Sequence, residues 1–233
     1  RLGRSLGVDL TPFKTCSFDC IFCQLGRTTN KTVKRKQYVP VKEVIAELDE
    51  WLKTEDSADY ITLSGSGEPT LNCEFGRVID FVRSATTIPV ALLTNGSLLS
   101  DPDVRAQAAQ ANVVKVSLSA WDQFSFEHIN RPQSDLQFKR LIEGQLLLRS
   151  EFKGEIWMEV FLVWGTNSTP QDVSRIAEFV KAVCPDKVQL NTAVRPPCEE
   201  FAYAVPEDQM GALAKRFDPP AEVIAEYSSD ASA

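Results

Sequence analysis

No stretch of this 233-residue chain approaches the ~20 consecutive apolar residues that span a bilayer, which excludes a helical membrane span. The opening Arg1-Leu2-Gly3-Arg4 has no apolar segment behind it, so no secretory signal is expected. Histidine occurs once, at His128, and there is no second C-x2-C pair. The four ligands of an ordinary structural zinc site are therefore missing. Six cysteines without a secretory signal do not read as a disulfide framework, and they fit a reducing cytoplasm. Positive charge is in the minority, with a formal net charge of −7. That disfavours broad binding to nucleic acid, which needs clustered Lys and Arg. One local exception is Arg27, Lys31, Lys34, Arg35 and Lys36. It reads either as a solvated loop or as a basic lip for an anionic substrate or an acidic electron donor. No internal repeat is present.

What the chain does have is a cysteine triad, Cys16, Cys20 and Cys23, spaced C-x3-C-x2-C. Three thiolates on one short loop can bind three corners of a cubane [4Fe–4S] cluster. The fourth iron is then left for a small molecule to chelate, which turns an electron carrier into a catalyst. Cys73, Cys184 and Cys198 lack ligand spacing and read as small packed residues.

Hydrophobic residues make up 43% of the chain, enough for one sizeable core. Short apolar runs alternate with amphipathic stretches, the pattern of a parallel α/β domain. Strands are expected at Leu6–Leu10, Tyr60–Leu63, Val90–Leu93, Val113–Leu118, Ile156–Val163 and Lys187–Leu190. Helices are expected at Val41–Lys53, Glu74–Ser84, Asp101–Ala111, Phe124–Ile129 and Leu136–Arg149, and from Thr169-Pro170 through Val183. The core domain is placed at 1–215. Residues 216–233, with Asp218-Pro219-Pro220 and a Ser/Ala-rich end, read as a linker or tail of a truncated chain. Pattern alone does not separate an open barrel from a doubly wound sheet. In both, ligands bind at the carboxyl ends of the strands, where the polar motifs fall.

With Phe22 just before its last cysteine, the triad resembles the hallmark of the radical S-adenosylmethionine (SAM) enzymes. Further motifs carry the likeness across roughly residues 5–200. Ser64-Gly65-Ser66-Gly67-Glu68-Pro69-Thr70 resembles the family's Gly-Gly-Glu-Pro segment, and Thr94-Asn95-Gly96 closes an apolar strand. Val116-Ser117-Leu118-Ser119 stands where relatives often carry Ser-Leu-Asp. Ile129-Asn130-Arg131-Pro132, Val188-Gln189-Leu190-Asn191-Thr192 and Arg195-Pro196-Pro197 look like the branch of wyosine-type, tRNA-modifying Fe–S oxidoreductases. The resemblance implies a partial (β/α)6 TIM-like barrel of the radical SAM type. It implies a [4Fe–4S] cluster on Cys16, Cys20 and Cys23, and S-adenosyl-L-methionine as cofactor. It also implies a one-electron donor such as flavodoxin or ferredoxin. The expected activity is reductive cleavage of SAM to a 5′-deoxyadenosyl radical that abstracts hydrogen from an unidentified substrate.

The glycines Gly65 and Gly67 let backbone approach a ligand without a Cβ in the way. The absence of a third glycine excludes a dinucleotide fingerprint. By resemblance, that segment and Glu68 lie along the methionine amino group. Asn95, Ser117 and Ser119 are candidates for the ribose or carboxylate, and Asn191 for the adenine or ribose edge. Each also reads as a strand-end polar group satisfying local backbone. Arg131 and Arg195 are candidate anion clamps. Glu159, on an apolar strand, is expected to face the barrel interior and bind a ligand or pair with one of these arginines. Three alternatives accompany this reading: a tRNA-modifying enzyme, an activase for a glycyl radical enzyme, and a non-enzymatic Fe–S protein.

Overall fold

A computed structural model of the chain describes residues 2–54 and 56–227. In chain order its elements are β1 (Ser5–Val8), β2 (Thr15–Cys16), β3 (Asn30–Lys31), α1 (Val41–Trp51), β4 (Tyr60–Leu63), α2 (Phe75–Ala85) and β5 (Val90–Thr94). There follow α3 (Pro102–Ala108), β6 (Val113–Ser117), α4 (Gln123–Asn130), α5 (Phe138–Glu151), β7 (Glu155–Leu162), α6 (Pro170–Val183), β8 (Lys187–Thr192), α7 (Glu207–Ala214) and β9 (Glu222–Val223).

Seven strands form one sheet in the order β1-β4-β5-β6-β7-β8-β9, every neighbouring pair parallel. The order never reverses. A doubly wound sheet reverses at its switch point, so this is the progression of a partial TIM-like barrel. Six strands of four or more residues carry it, and β9 adds two residues at one edge.

Side chains alternate between the two sheet faces. On β7, Ile156, Met158, Val160 and Leu162 join the main core under the helices, together with Val114, Val116, Val173 and Ile176. The other face of β7 carries Trp157, Glu159 and Phe161. Trp157 packs with Ala91 and Val113, and with Leu2, Tyr60 and Leu93 beside them, as an apolar floor. Phe161 packs with Ile21, Val163 and Ala202 near the opposite end. Glu159 lies between these two layers, as its expected inward orientation requires.

Local signals set the helix ends. Thr169 accepts from Asp172 N at the start of α6, with Pro170 in the first turn. Asp122 and Ser125 form a reciprocal capping box on α4. The segment read as a linker or tail is packed as far as residue 227. Phe217 is buried, Glu222–Val223 pairs with Gln189–Leu190, and the Tyr227 hydroxyl donates to Val205 O at 2.7 Å. Phe217 and Val223 supply apolar anchors that the prolines and small residues around them obscured. Residues 228–233, Arg1 and Glu55 lie outside the described residues. Among the described residues no helix is long and apolar enough to cross a membrane.

Candidate functional site

The cysteine loop is closed at its base, where β2 and β3 pair in parallel, Cys16 opposite Lys31. Its middle docks on the carboxyl end of α4. Asp19 N donates to Asn130 O and Ile21 N to Ile129 O, both at 3.0 Å, and Gln133 N donates to Ser17 O at 2.9 Å. These unpaired last-turn carbonyls are natural acceptors. The Ile129-Asn130-Arg131-Pro132 segment thus holds the loop. Arg131 leaves the helix in the left-handed region at φ 44°.

A cavity of ≈ 340 Å³ opens beneath the loop at the carboxyl ends of the strands. Cys16, Cys23, Gly65, Gly67, Glu68, Asn95 and Ser117 line it, together with Ser64, Leu93, Thr94, Lys115 and Glu159. Motifs far apart in sequence therefore share one wall. A larger groove of ≈ 740 Å³ runs past Trp121 before α4, Phe138 on α5 and Phe179 on α6 but contains none of these motifs.

The remaining expected residues sit around the cavity. Phe22 stacks on Phe161 with ring centroids 4.1 Å apart, closing the top of the barrel. The buried Ser119 accepts from Phe161 N through its hydroxyl at 3.1 Å. Asn191 donates to Glu159 Oε1 at 2.8 Å and accepts from Thr192 N. Arg131 and Arg27 both grip the Glu199 carboxylate, so Arg131 ties loops together. Arg195 is exposed. In the basic segment Lys31 donates to Arg131 O, Arg35 to Thr70 O, and Lys36 sits over the Tyr38 ring, while Lys31, Lys34 and Lys36 stay exposed.

The two glycines serve the protein's own packing. Gly65 has φ +142° and faces the Asp9 carboxylate, while a Cβ on Gly67 would run into the Thr15 carbonyl oxygen. Lacking side chains, Gly65 lets the turn lie against Asp9 after β1 and Gly67 lets it press against β2. Glu68 is 2% exposed. Its Oε1 accepts from Thr70 N and from the hydroxyls of Thr70 and Thr94, and its Oε2 accepts from Asn95 N. Burial nevertheless pushes its pKa above the ordinary carboxylate value, against these donors. The carboxylate braces the cavity wall.

Sequence reading missed Lys115, on the inward face of β6. Its ammonium lies 3.1 Å from Glu159 Oε2, with side chains 12% and 22% exposed. Glu159 pairs with this lysine instead of an arginine. Alternation along Val113–Ser117 could have found it, since Val113, Lys115 and Ser117 share the inward face.

The thiols fit an anionic metal cluster by donor chemistry. Burial pushes the Cys16 thiol up to about 11 and also raises Cys20, so neither is a thiolate by itself. Beside them Lys14 is only 3% exposed, and its ammonium donates to Cys23 Sγ at 3.1 Å. Among the described residues no carboxylate pairs with it. A buried cation of that kind calls for negative charge on the sulfurs. As the side chains stand, no three His, Cys, Asp or Glu among the described residues converge as a ready metal site. The match is therefore one of ligand type and charge.

The radical SAM superfamily model matches residues 10–180. The chain belongs to the radical SAM superfamily. It is 40% identical over 218 residues to a Brachyspira hyodysenteriae protein named GTPase Obg, covering 94% of this chain and 32% of that one. It is 34% identical over 203 residues to UPF0026 protein MJ1312 of Methanocaldococcus jannaschii, covering 86% of this chain and 63% of that one. The chain thus spans less than two thirds of either relative. The structure of TYW1 with a lysine-pyruvate adduct bound superposes with a TM-score of 0.69 at 18% identity, over 94% of this chain and 74% of that one. At that identity the likeness is one of fold. The cavity beneath the cysteine loop lies at the carboxyl ends of the strands, the end at which parallel barrels bind ligands.

Proposed function

We propose that this radical SAM protein is an enzyme that holds a [4Fe–4S] cluster on Cys16, Cys20 and Cys23 and cleaves SAM reductively. The observation that carries the reading is the shared cavity. Cys16 and Cys23 form one side and the polar strand ends form the other, so a ligand there meets both. A plain electron carrier needs no such space, which counts against the non-enzymatic reading. When bound, cluster and SAM together supply a 5′-deoxyadenosyl radical able to take a hydrogen atom from a substrate.

The chain's own residues then have defined tasks. Lys14 compensates negative charge at Cys23. Lys115 and Glu159 present one charge of each sign to the cavity, suited to a zwitterionic ligand such as SAM's amino acid end. Ser117 adds a hydroxyl beside them. Phe22, stacked on Phe161, and Ile21 close the rim against water. An external protein supplies the electron. The wyosine-type reading of the substrate is weaker, because the formal net charge is −7 and both arginines of the basic segment are paired, Arg27 with Glu199 and Arg35 with Asp101.

The test is anaerobic. The protein is reconstituted with iron and sulfide, reduced with dithionite, given SAM, and assayed for 5′-deoxyadenosine. Wild type is expected to form it, and Cys20→Ala to lose it by at least ~100-fold, as for removal of a group that the chemistry requires. Absence of product from fully loaded wild-type protein would sink the proposal.

A further inference from the structure

Three side chains outside the cysteine motif each aim one N–H group at a different thiol. Lys14 Nζ lies 3.1 Å from Cys23 Sγ, Asn130 Nδ2 lies 3.3 Å from Cys20 Sγ, and Asn95 Nδ2 lies 3.6 Å from Cys16 Sγ. They come from three separate places: the turn before β2, the last residue of α4, and the end of β5. No sulfur receives two of them and none is left out.

Each donor is fixed by independent bonds. Lys14 N donates to Ser66 O at 2.8 Å, and Lys14 O accepts from Thr29 N and Asn30 N. These bonds hold it at φ 58°, in a region that costs a side-chain-bearing residue about 1–2 kcal/mol. The fold accepts that strain in a lysine aimed at sulfur. Asn95 N donates to Glu68 Oε2, and its Oδ1 accepts from Ser97 N. Asn130 O accepts from Asp19 N, so the residue that aims at Cys20 also anchors the loop carrying it.

A neutral thiol is a weak acceptor. A buried ammonium and two amides turned onto thiols gain most when the sulfurs carry negative charge. We infer that Lys14, Asn95 and Asn130 raise the reduction potential of the cluster held by Cys16, Cys20 and Cys23. This rests on the cluster reading above. Reduction adds one electron, and part of its charge falls on the ligand sulfurs. Each N–H group stabilises the reduced form more than the oxidised form, and Lys14 adds a full positive charge. The three are positioning residues for electron entry.

The test is a potentiometric titration of the reconstituted chain, followed by the electron paramagnetic resonance signal of the reduced cluster. Asn130→Leu and Lys14→Met remove one donor each at nearly constant volume, and Lys14→Arg keeps donor and charge. Both donor-less variants are expected to take up iron and sulfide and to titrate at lower potential. At fixed potential the reduced-to-oxidised ratio should fall about tenfold, or about 59 mV for a one-electron couple, more for Lys14→Met than for Asn130→Leu. Lys14→Arg should stay near wild type. If Lys14→Met does not hold the cluster, Asn130→Leu decides, since it removes no charge. A loaded Asn130→Leu protein with the wild-type midpoint overturns the inference and leaves the cluster reading intact. Wild-type protein that takes up no iron and sulfide overturns both.

Discussion

The cavity has two unlike sides. The side formed by Gly65–Glu68, Thr94–Ser97 and the cysteine loop is bound up in protein contacts. Glu68 accepts four hydrogen bonds, Asn95 bridges Ser17 and Cys16, and Ser17 and Ser97 join hydroxyls at 2.7 Å. The side formed by β6, β7 and β8 is linked chiefly to itself. Lys115 pairs with Glu159 and Glu159 accepts from Asn191, while among the described residues the Ser117 hydroxyl has no protein partner. Polar residues at strand ends thus divide into braces and available groups. The first set shapes the loop, and the second offers charge to whatever enters.

The comparison breaks if the braced side tolerates change. Gly67→Ala places a methyl group against Thr15 backbone, which cannot retreat without opening the β2–β3 base. Overpacking of that kind costs about 1–3 kcal/mol. Its urea midpoint should fall clearly below wild type, and its iron content after reconstitution should fall with it. A Gly67→Ala protein of wild-type stability and cluster content would show that the fold does not need the glycine.

The opposite side predicts the reverse split. Lys115→Met keeps length and apolar stem, and leaves Glu159 its bond to Asn191. The urea midpoint should move little and the cluster should load normally. SAM affinity, read by equilibrium dialysis, should weaken about tenfold, the equivalent of one interaction of about 1.4 kcal/mol. An unchanged affinity would remove Lys115 from the binding surface.

The sequence displayed this site unevenly. The cysteine spacing and the strand-end placement of Gly65, Asn95 and Ser117 were legible because they depend on short local patterns. So was the inward position of Glu159, the one acid in the expected strand Ile156–Val163. Partners were not legible. Whether Glu68 meets a ligand or Thr70, Thr94 and Asn95 depends on how β4 and β5 lie side by side. Asn130 and Cys20 are far apart in sequence, and nothing in either segment names the other. The barrel itself was expected from resemblance, and the unreversed strand order is a property of pairing. The short strands β2, β3 and β9 are two residues each, too brief for any period to declare.

A pH-dependent effect tests the braced side at its most buried acid. Burial raises Glu68 above the ordinary 4.5, while the same residue in the unfolded chain titrates near that value. Between the two values the folded protein holds the extra proton. Glu68 therefore contributes stability that is full below the unfolded value and is lost as the pH rises through the folded one. Cys16 is the titratable group that responds to Glu68, and burial keeps it protonated to about 11, outside that window. Glu68→Gln removes the titration and turns an amide N–H toward donors, a deficit of about 1–3 kcal/mol for buried groups left unpaired. That deficit does not depend on pH. Unfolding of the cluster-free proteins should therefore show wild type ahead of the variant at pH 4.5, with the gap narrowing steadily as the pH rises. A constant gap would mean that the four donors outweigh burial and hold Glu68 ionised throughout. The brace would then be a fixed negative charge facing the cysteine loop, and Lys14 would have that charge to balance as well as any on the sulfurs.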